Sequence, residues 1–267
     1  KVISEKNLNI DAIKRLTGRV SLVKEDDYPR SSIQLSIRGQ IKDKSEFTEK
    51  FMAISSELNL DIAFQEDNIF RRNRRLVCFD MDSTLIQTEV IDELAELAGV
   101  GEQVRAITES AMQGEIDFQE SFKQRMLLLK GLREEVLEEV AVNLPITKGA
   151  RRLIDTLKSY GFKTAILSGG FTYFGKYLQK ELGIDYVYAN ELEIKDGILT
   201  GGYLGEIVDG NKKAEYLKEI ARKEGIDINQ TIAVGDGAND LPMLNLAGLG
   251  IAFHAKPKVK DNAQSSI

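Results

Sequence analysis

From residue 76 onward, short apolar runs alternate with stretches of helical spacing. Leu76-Val77-Cys78-Phe79, Lys163-Thr164-Ala165-Ile166-Leu167 and Thr231-Ile232-Ala233-Val234 are largely apolar and end at small or charged residues, the pattern of strands buried on both faces of a parallel sheet. Helices are expected around Ala150–Ser159, up to Leu182 and over Ala214–Glu224. Tyr186–Ala189 reads as a further strand. Leu192–Ile194 and Ile198–Tyr203 read as arms of a hairpin turning at Lys195-Asp196-Gly197, because Asp-Gly between alternating runs favours a tight turn. This alternation predicts an α/β fold with a doubly wound, mainly parallel Rossmann-like sheet.

Between Thr88 and Asn143 the rhythm is helical almost throughout. Val90, Leu94 and Leu97, then Phe118, Phe122 and Leu129, then Val136 and Val140 carry it, and Gly99, Gly101, Gly114 and Gly131 punctuate it. The spacing predicts a helical cap inserted after the first strand, placed to exclude water from the sheet edge.

Residues 1–70 follow a different order. Ile10, Ile13 and Leu16 predict a helix ended by Gly18. Val20–Val23 and the alternating Ile33-Gln34-Leu35-Ser36-Ile37 predict two strands around a turn with Pro29, and Gly39 breaks the second. Phe47, Phe51, Ile54 and Leu58 predict another helix, and Leu60–Phe64 a last strand. That order is a small α+β, ferredoxin-like unit lacking its first strand, with no catalytic cluster and so a regulatory or packing role. The basic run Arg71-Arg72-Asn73-Arg74-Arg75 reads as a solvated linker. The expected division is residues 1–70, a core of 71–87 and 146–267, and a cap of 88–145.

Composition narrows the function. A net charge of −6 argues against nucleic acid as a partner, since phosphate backbones call for a basic face. The one cysteine, Cys78, excludes an intrachain disulfide and a multi-thiolate zinc cluster, and fits a reducing cytoplasm. No run approaches the roughly 18 apolar residues of a membrane helix.

The chemistry concentrates at three strand ends: Asp80-Met81-Asp82-Ser83-Thr84, Ser168-Gly169-Gly170, and Gly235-Asp236-Gly237-Ala238-Asn239-Asp240. Ligands of open α/β sheets bind beyond the carboxyl ends of the strands. Carboxylates gathered there without histidine or thiolate make a hard oxygen site, suited to Mg²⁺ rather than zinc. Ser83 and Thr84 are expected to offer hydroxyl and backbone donors to phosphate oxygens. The lone histidine, His254, reads as structural.

This ordered set resembles the haloacid dehalogenase superfamily and, within it, the phosphoserine phosphatases. Val208-Asp209 with Lys213, and Gly114, Phe118, Ser121, Arg125 and Leu128-Leu129-Lys130-Gly131-Leu132 in the cap, fit the same pattern, over roughly Leu76 to Pro257. The resemblance implies a haloacid dehalogenase-type core and hydrolysis of O-phospho-L-serine. Asp80 is then the nucleophile, and Asp82 the acid and base. Asp80, the Asp82 backbone carbonyl and Asp236 would hold Mg²⁺, with Asp240 in support. Ser168, Gly169, Gly170 and Lys213 would bind the phosphoryl group. Glu89 and Arg125 would recognise the amino and carboxylate groups, Met112 and Phe118 would line the apolar side, and Asn239 would hydrogen-bond near the substrate.

Residues 1–70 are similar to the amino-acid-sensing ACT fold, which leaves room for an amino-acid effector there and for a homodimer. The same core chemistry serves another small phosphate ester, or transfer to an acceptor such as homoserine. A purely sensing protein with an inactive hydrolase portion is disfavoured because every catalytic position is filled.

Overall fold

The computed structural model describes residues 2–16, 32–260, 262–263 and 265–267. The chain divides into two compact units, Lys1–Ile62 and Ala63–Ile267. In the first, α1 (Val2–Glu5) precedes β1 (Asn9–Arg15), β2 (Ile33–Arg38) and α2 (Lys44–Leu58). β1 and β2 pair antiparallel, Arg15 opposite Ile33, with an irregularity between Ile10 and Ala12. The helix expected over Ile10–Leu16 is therefore a strand. An irregularity that adds one residue returns positions three apart to the same side, so the spacing of Ile10 and Ile13 fits a bulged strand as well as a helix. Leu60–Phe64 forms no strand. The strand expected at Val20–Val23 and the turn at Pro29 lie outside the described residues. Asp43 caps α2 by accepting from the Glu46 N–H at 3.0 Å, and Phe47 and Phe51 pack with ring centroids 4.8 Å apart.

In the second unit β3 (Leu76–Phe79) leads into the cap: α3 (Val90–Leu97), α4 (Gly101–Gln113), α5 (Phe118–Leu128) and α6 (Glu135–Val142). Then follow α7 (Ala150–Ser159), β4 (Lys163–Phe171), α8 (Thr172–Leu182), β5 (Tyr186–Lys195), β6 (Ile198–Leu204) and α9 (Gly210–Lys223). β7 (Thr231–Gly235), α10 (Leu241–Leu246), β8 (Leu249–Ala252), α11 (Pro257–Lys260) and β9 (Ser265–Ser266) complete it. The sheet order is β6-β5-β4-β3-β7-β8-β9, parallel except for the β5–β6 hairpin. The two runs read as Tyr186–Ala189 and Leu192–Ile194 are one strand. Asp196 and Gly197 at its turn both have positive φ, 53° and 73°, the turn that matches strand twist.

β3 is buried on both faces because its side chains alternate between two cores. Val77 and Phe79 join a core with the cap, α7 and α8, while Leu76 and Cys78 join one with α9 and α10. Each such buried aliphatic or aromatic side chain contributes about 1.5–3 kcal/mol. The cap is fastened twice. At its root, Gln87 N–H donates to Pro145 O and Thr147 N–H to Leu85 O, both at 2.9 Å. Farther out, Gly131 N–H donates to Leu199 O at 2.9 Å and Glu134 N–H to Gly197 O at 2.8 Å, tying the cap to the hairpin. Phe122 joins cap to core from within, its ring 6.3 Å from Phe171 and 5.5 Å from Tyr203.

Candidate active site

The site forms where β3, β4 and β7 end. Asp80 is the first residue past β3, and its N–H still donates to Val234 O of β7 at 2.8 Å, which fixes where its carboxylate points. Lys213, fully buried in the first turn of α9, places Nζ 2.7 Å from Asp80 Oδ1 and 2.7 Å from Asp240 Oδ1. Asp209 holds that turn, accepting from Lys212 N–H at 2.9 Å. Asp240 also accepts from Gly237 N–H at 3.0 Å. It fits because Gly235 has no Cβ, which would sit 2.4 Å from the Asp240 carboxylate.

Asp80, Asp236 and Asp240 bring carboxylate oxygens within 4.8 Å of one another. Burial raises the Asp80 carboxyl well above the usual range, and the neighbouring Asp240 charge adds to it. Burial likewise pushes Asp236 up to about 6, again with Asp240 adding. Burial alone would lower the Lys213 ammonium, but Asp240 and Asp80 more than offset this and raise it. One buried ammonium among three carboxylates leaves an excess of negative charge held on oxygen alone. That donor set fits a hard divalent cation such as Mg²⁺.

Asp82 lies two residues on and is held by other partners. Its Oδ1 accepts from the N–H of Val90 in the first turn of α3 at 2.8 Å, and its Oδ2 from Ser168 Oγ at 3.4 Å. Burial, with the Glu89 charge adding, pushes its carboxyl up to about 7. A carboxyl tuned there can both give and take a proton near neutrality. Ser83, at φ 56°, swings its hydroxyl onto Glu89 Oε1 at 2.9 Å, and Thr84 Oγ1 donates to Asp236 Oδ1 at 3.4 Å. Both hydroxyls expected to offer donors to phosphate oxygens are here bonded to carboxylates.

Glu89 and Arg125 come from the cap side. Burial raises Glu89 and lowers Arg125, and each acts on the other's charge, with Asp92 close by. Among the described residues Arg125 makes one hydrogen bond, from Nε to Ser121 O at 3.4 Å, so its terminal nitrogens remain available to a ligand. Phe118 lies over the β4 end, its Cζ 3.0 Å from where a Cβ on Gly169 would be. Gly170 is likewise confined, since a Cβ there would meet Asp82 Oδ2 at 2.6 Å. Asn239 sits over Gly237, where a Cβ would meet its Oδ1 at 2.2 Å.

Met112 is not gathered with these residues: it is 65% exposed, with Lys256 Nζ 3.8 Å from its sulfur. His254 is exposed at φ 47°, its ring against Phe253 and its N–H on Ile267 O at 2.8 Å. Asn190 is a site neighbour that the apolar pattern does not single out. It is 1% exposed and bonded to Gly169 O at 2.8 Å. Its one signal is the break in apolar character between Ala189 and Leu192.

A family model described as haloacid dehalogenase-like hydrolase matches residues 77–245. A phosphoserine phosphatase of Archaeoglobus fulgidus is 50% identical over 226 residues, 85% of this chain and 66% of its own length. That of Haemophilus influenzae is 49% identical over 83% of this chain and 70% of its own. A shorter one from Streptococcus thermophilus is 52% identical over 72% of this chain and 89% of its own. The chain thus spans about two thirds of the longer relatives. Among solved structures, a phospho-aspartyl intermediate analogue of phosphoserine phosphatase superposes with a TM-score of 0.69 at 46% identity, covering 73% of this chain and 93% of the other. A haloacid dehalogenase-family hydrolase of Salmonella enterica gives 0.83 at 34%, covering 90% and 82%. The family match over residues 77–245 and these relatives show that this protein belongs to the haloacid dehalogenase-like hydrolases and, among them, to the phosphoserine phosphatases.

Proposed function

We propose that the chain hydrolyses O-phospho-L-serine to L-serine and inorganic phosphate in two steps. Asp80 attacks phosphorus, an Asp80 O–P bond forms, the P–O bond to serine breaks, and Asp82 gives its proton to the departing serine oxygen. Asp82 then takes a proton from water, which attacks phosphorus and releases phosphate from Asp80. The observation that carries this reading is the pairing of a lysine-held Asp80 with a separately held Asp82 whose carboxyl lies at about 7.

Ser168, the Gly169 amide, Gly170 and Lys213 receive the phosphoryl oxygens. Glu89 takes the substrate ammonium and Arg125 its carboxylate, as a two-pronged donor. Phe118 covers the apolar side of the pocket, and Asn239 bonds near the substrate. Asp80, Asp236 and the Asp82 carbonyl would hold Mg²⁺, with Asp240 in support. When bound, the cation would offset charge on the transferring phosphoryl group.

Among the described residues no helix is long and apolar enough to cross a membrane. A cytoplasmic site of action, an ACT-like N-terminal unit binding an amino-acid effector, and a homodimer belong to the same proposal. The test is phosphate release from O-phospho-L-serine and from a panel of small phosphate esters with Mg²⁺, with and without homoserine as acceptor. Strong preference for phosphoserine supports the reading, and an even spread over the panel overturns the substrate assignment.

A further inference from the structure

β4 and β5 pair in step at Ala165–Tyr186, Ile166–Val187 and Leu167–Tyr188, and then lose register. The next pair is Phe171 with Asn190, so Ser168, Gly169 and Gly170 bulge out where β5 supplies a single residue. A bulge frees the Ser168–Gly170 segment from the ladder to face the site, but it also strips backbone carbonyls of their strand partners. The Asn190 side chain replaces them. Its Nδ2 donates to Gly169 O at 2.8 Å and to Gly170 O at 3.3 Å. Its Oδ1 accepts from Val208 N–H at 2.8 Å. The orientation of the amide is unambiguous, since carbonyls can only accept and a backbone N–H can only donate.

Val208 immediately precedes Asp209, the cap of the helix that carries Lys213. One buried side chain therefore spans the two elements assigned to the phosphoryl group, the Ser168–Gly170 bulge and the start of α9. We infer that Asn190 is a positioning residue for phosphoryl binding: it touches neither substrate nor reacting atoms, and sets the distance between the Gly169 amide and Lys213. A change on one side is transmitted to the other, because both bonds belong to one rigid planar amide. The inference rests on the reading of Ser168–Gly170 and Lys213 as the phosphoryl cradle.

The informative variant is Asn190→Asp, which keeps the acceptor for Val208 and loses both donors to the bulge. Inhibition by inorganic phosphate is measured beside kcat, KM and melting temperature in the full chain with Mg²⁺. The expected result is a rise of about tenfold in the phosphate inhibition constant, with kcat/KM for phosphoserine down by a similar factor or more. A residue that served stability alone would lower the melting temperature and leave the phosphate constant unchanged, and that result overturns the inference. Failure of phosphate to inhibit the unsubstituted protein would instead overturn the cradle itself.

A second measurement needs no variant. In hydrogen exchange on the unsubstituted protein, peptides covering 168–171, 188–191 and 206–210 should gain protection together when inorganic phosphate is added with Mg²⁺. Protection confined to 168–171 overturns the coupling.

Discussion

The two halves of the site are held in opposite ways. On the sheet side, Asp80, Asp240 and Lys213 are buried and close on one another at 2.7 Å, with Asp82 pinned by Val90 N–H. On the cap side, Glu89 is exposed and Arg125 half-buried, and among the described residues Arg125 makes its one hydrogen bond through Nε. Partly burying the Arg125 charge without full hydrogen bonding is unfavourable unless a ligand completes it. On the proposed reading, the sheet half holds the reacting groups by close internal bonds, and the cap half leaves the terminal nitrogens of Arg125 for recognition. On that same reading, the phosphoryl end and the amino-acid end of the substrate are served by different parts of the chain.

Asp80→Asn should break the comparison most sharply. Loss of the nucleophile is expected to lower phosphate release by at least about a thousandfold, with circular dichroism unchanged because the side chain keeps its size. Phe122→Ala attacks the junction between halves, where its ring meets Phe171 and Tyr203. It should cost about 3–5 kcal/mol of stability in urea unfolding, the usual loss for a buried aromatic. Substrate selectivity measures the cap half directly. Glu89→Gln or Arg125→Lys should lower kcat/KM for phosphoserine by about 10- to 100-fold. Turnover of p-nitrophenyl phosphate, which has neither an amino nor a carboxylate group, should change far less, and equal losses on both substrates would erase the division of labour.

The smallest effect tests the charge on the sheet side. Asp80, Asp82 and Asp236 are raised in the fold, Asp82 to about 7 and Asp236 to about 6, against about 4 in an unfolded chain. The folded protein without cation therefore holds protons more tightly than the unfolded one. Their contribution to stability is complete below pH 4 or so and is lost as pH rises through 6 and 7. A divalent cation replaces those protons, so its stabilisation should grow with pH. With Mg²⁺ at about a hundred times its dissociation constant, the melting temperature at pH 8 should rise by about 5–10 °C, and at pH 5 by clearly less. A shift independent of pH would mean that the cation binds elsewhere.

The core strands were legible because burial on both faces leaves an unbroken apolar run, and few other structures require one. β1 was not, because a two-stranded sheet with exposed faces puts no such demand on Ile10 or Ile13, which are 41% and 68% exposed. The gathering of Asp80, Asp236 and Asp240 was legible from their place at strand ends. The partners of the Ser83 and Thr84 hydroxyls, Glu89 and Asp236, were not legible in the sequence, because they lie on other elements and Ser83 adopts a left-handed conformation.

The sequence by itself determined that β3, β4 and β7 are buried, where they end, and that carboxylates accumulate there, since these follow from local runs and spacing, while the lysine was singled out by the family resemblance. Only the tertiary structure decided that Lys213 bridges Asp80 and Asp240, that Asp82 is held by Val90 N–H, and that Asn190 replaces a lost strand partner. Those bonds join residues far apart in the chain, and which atoms meet is fixed by sheet register and helix placement rather than by any pattern along the sequence.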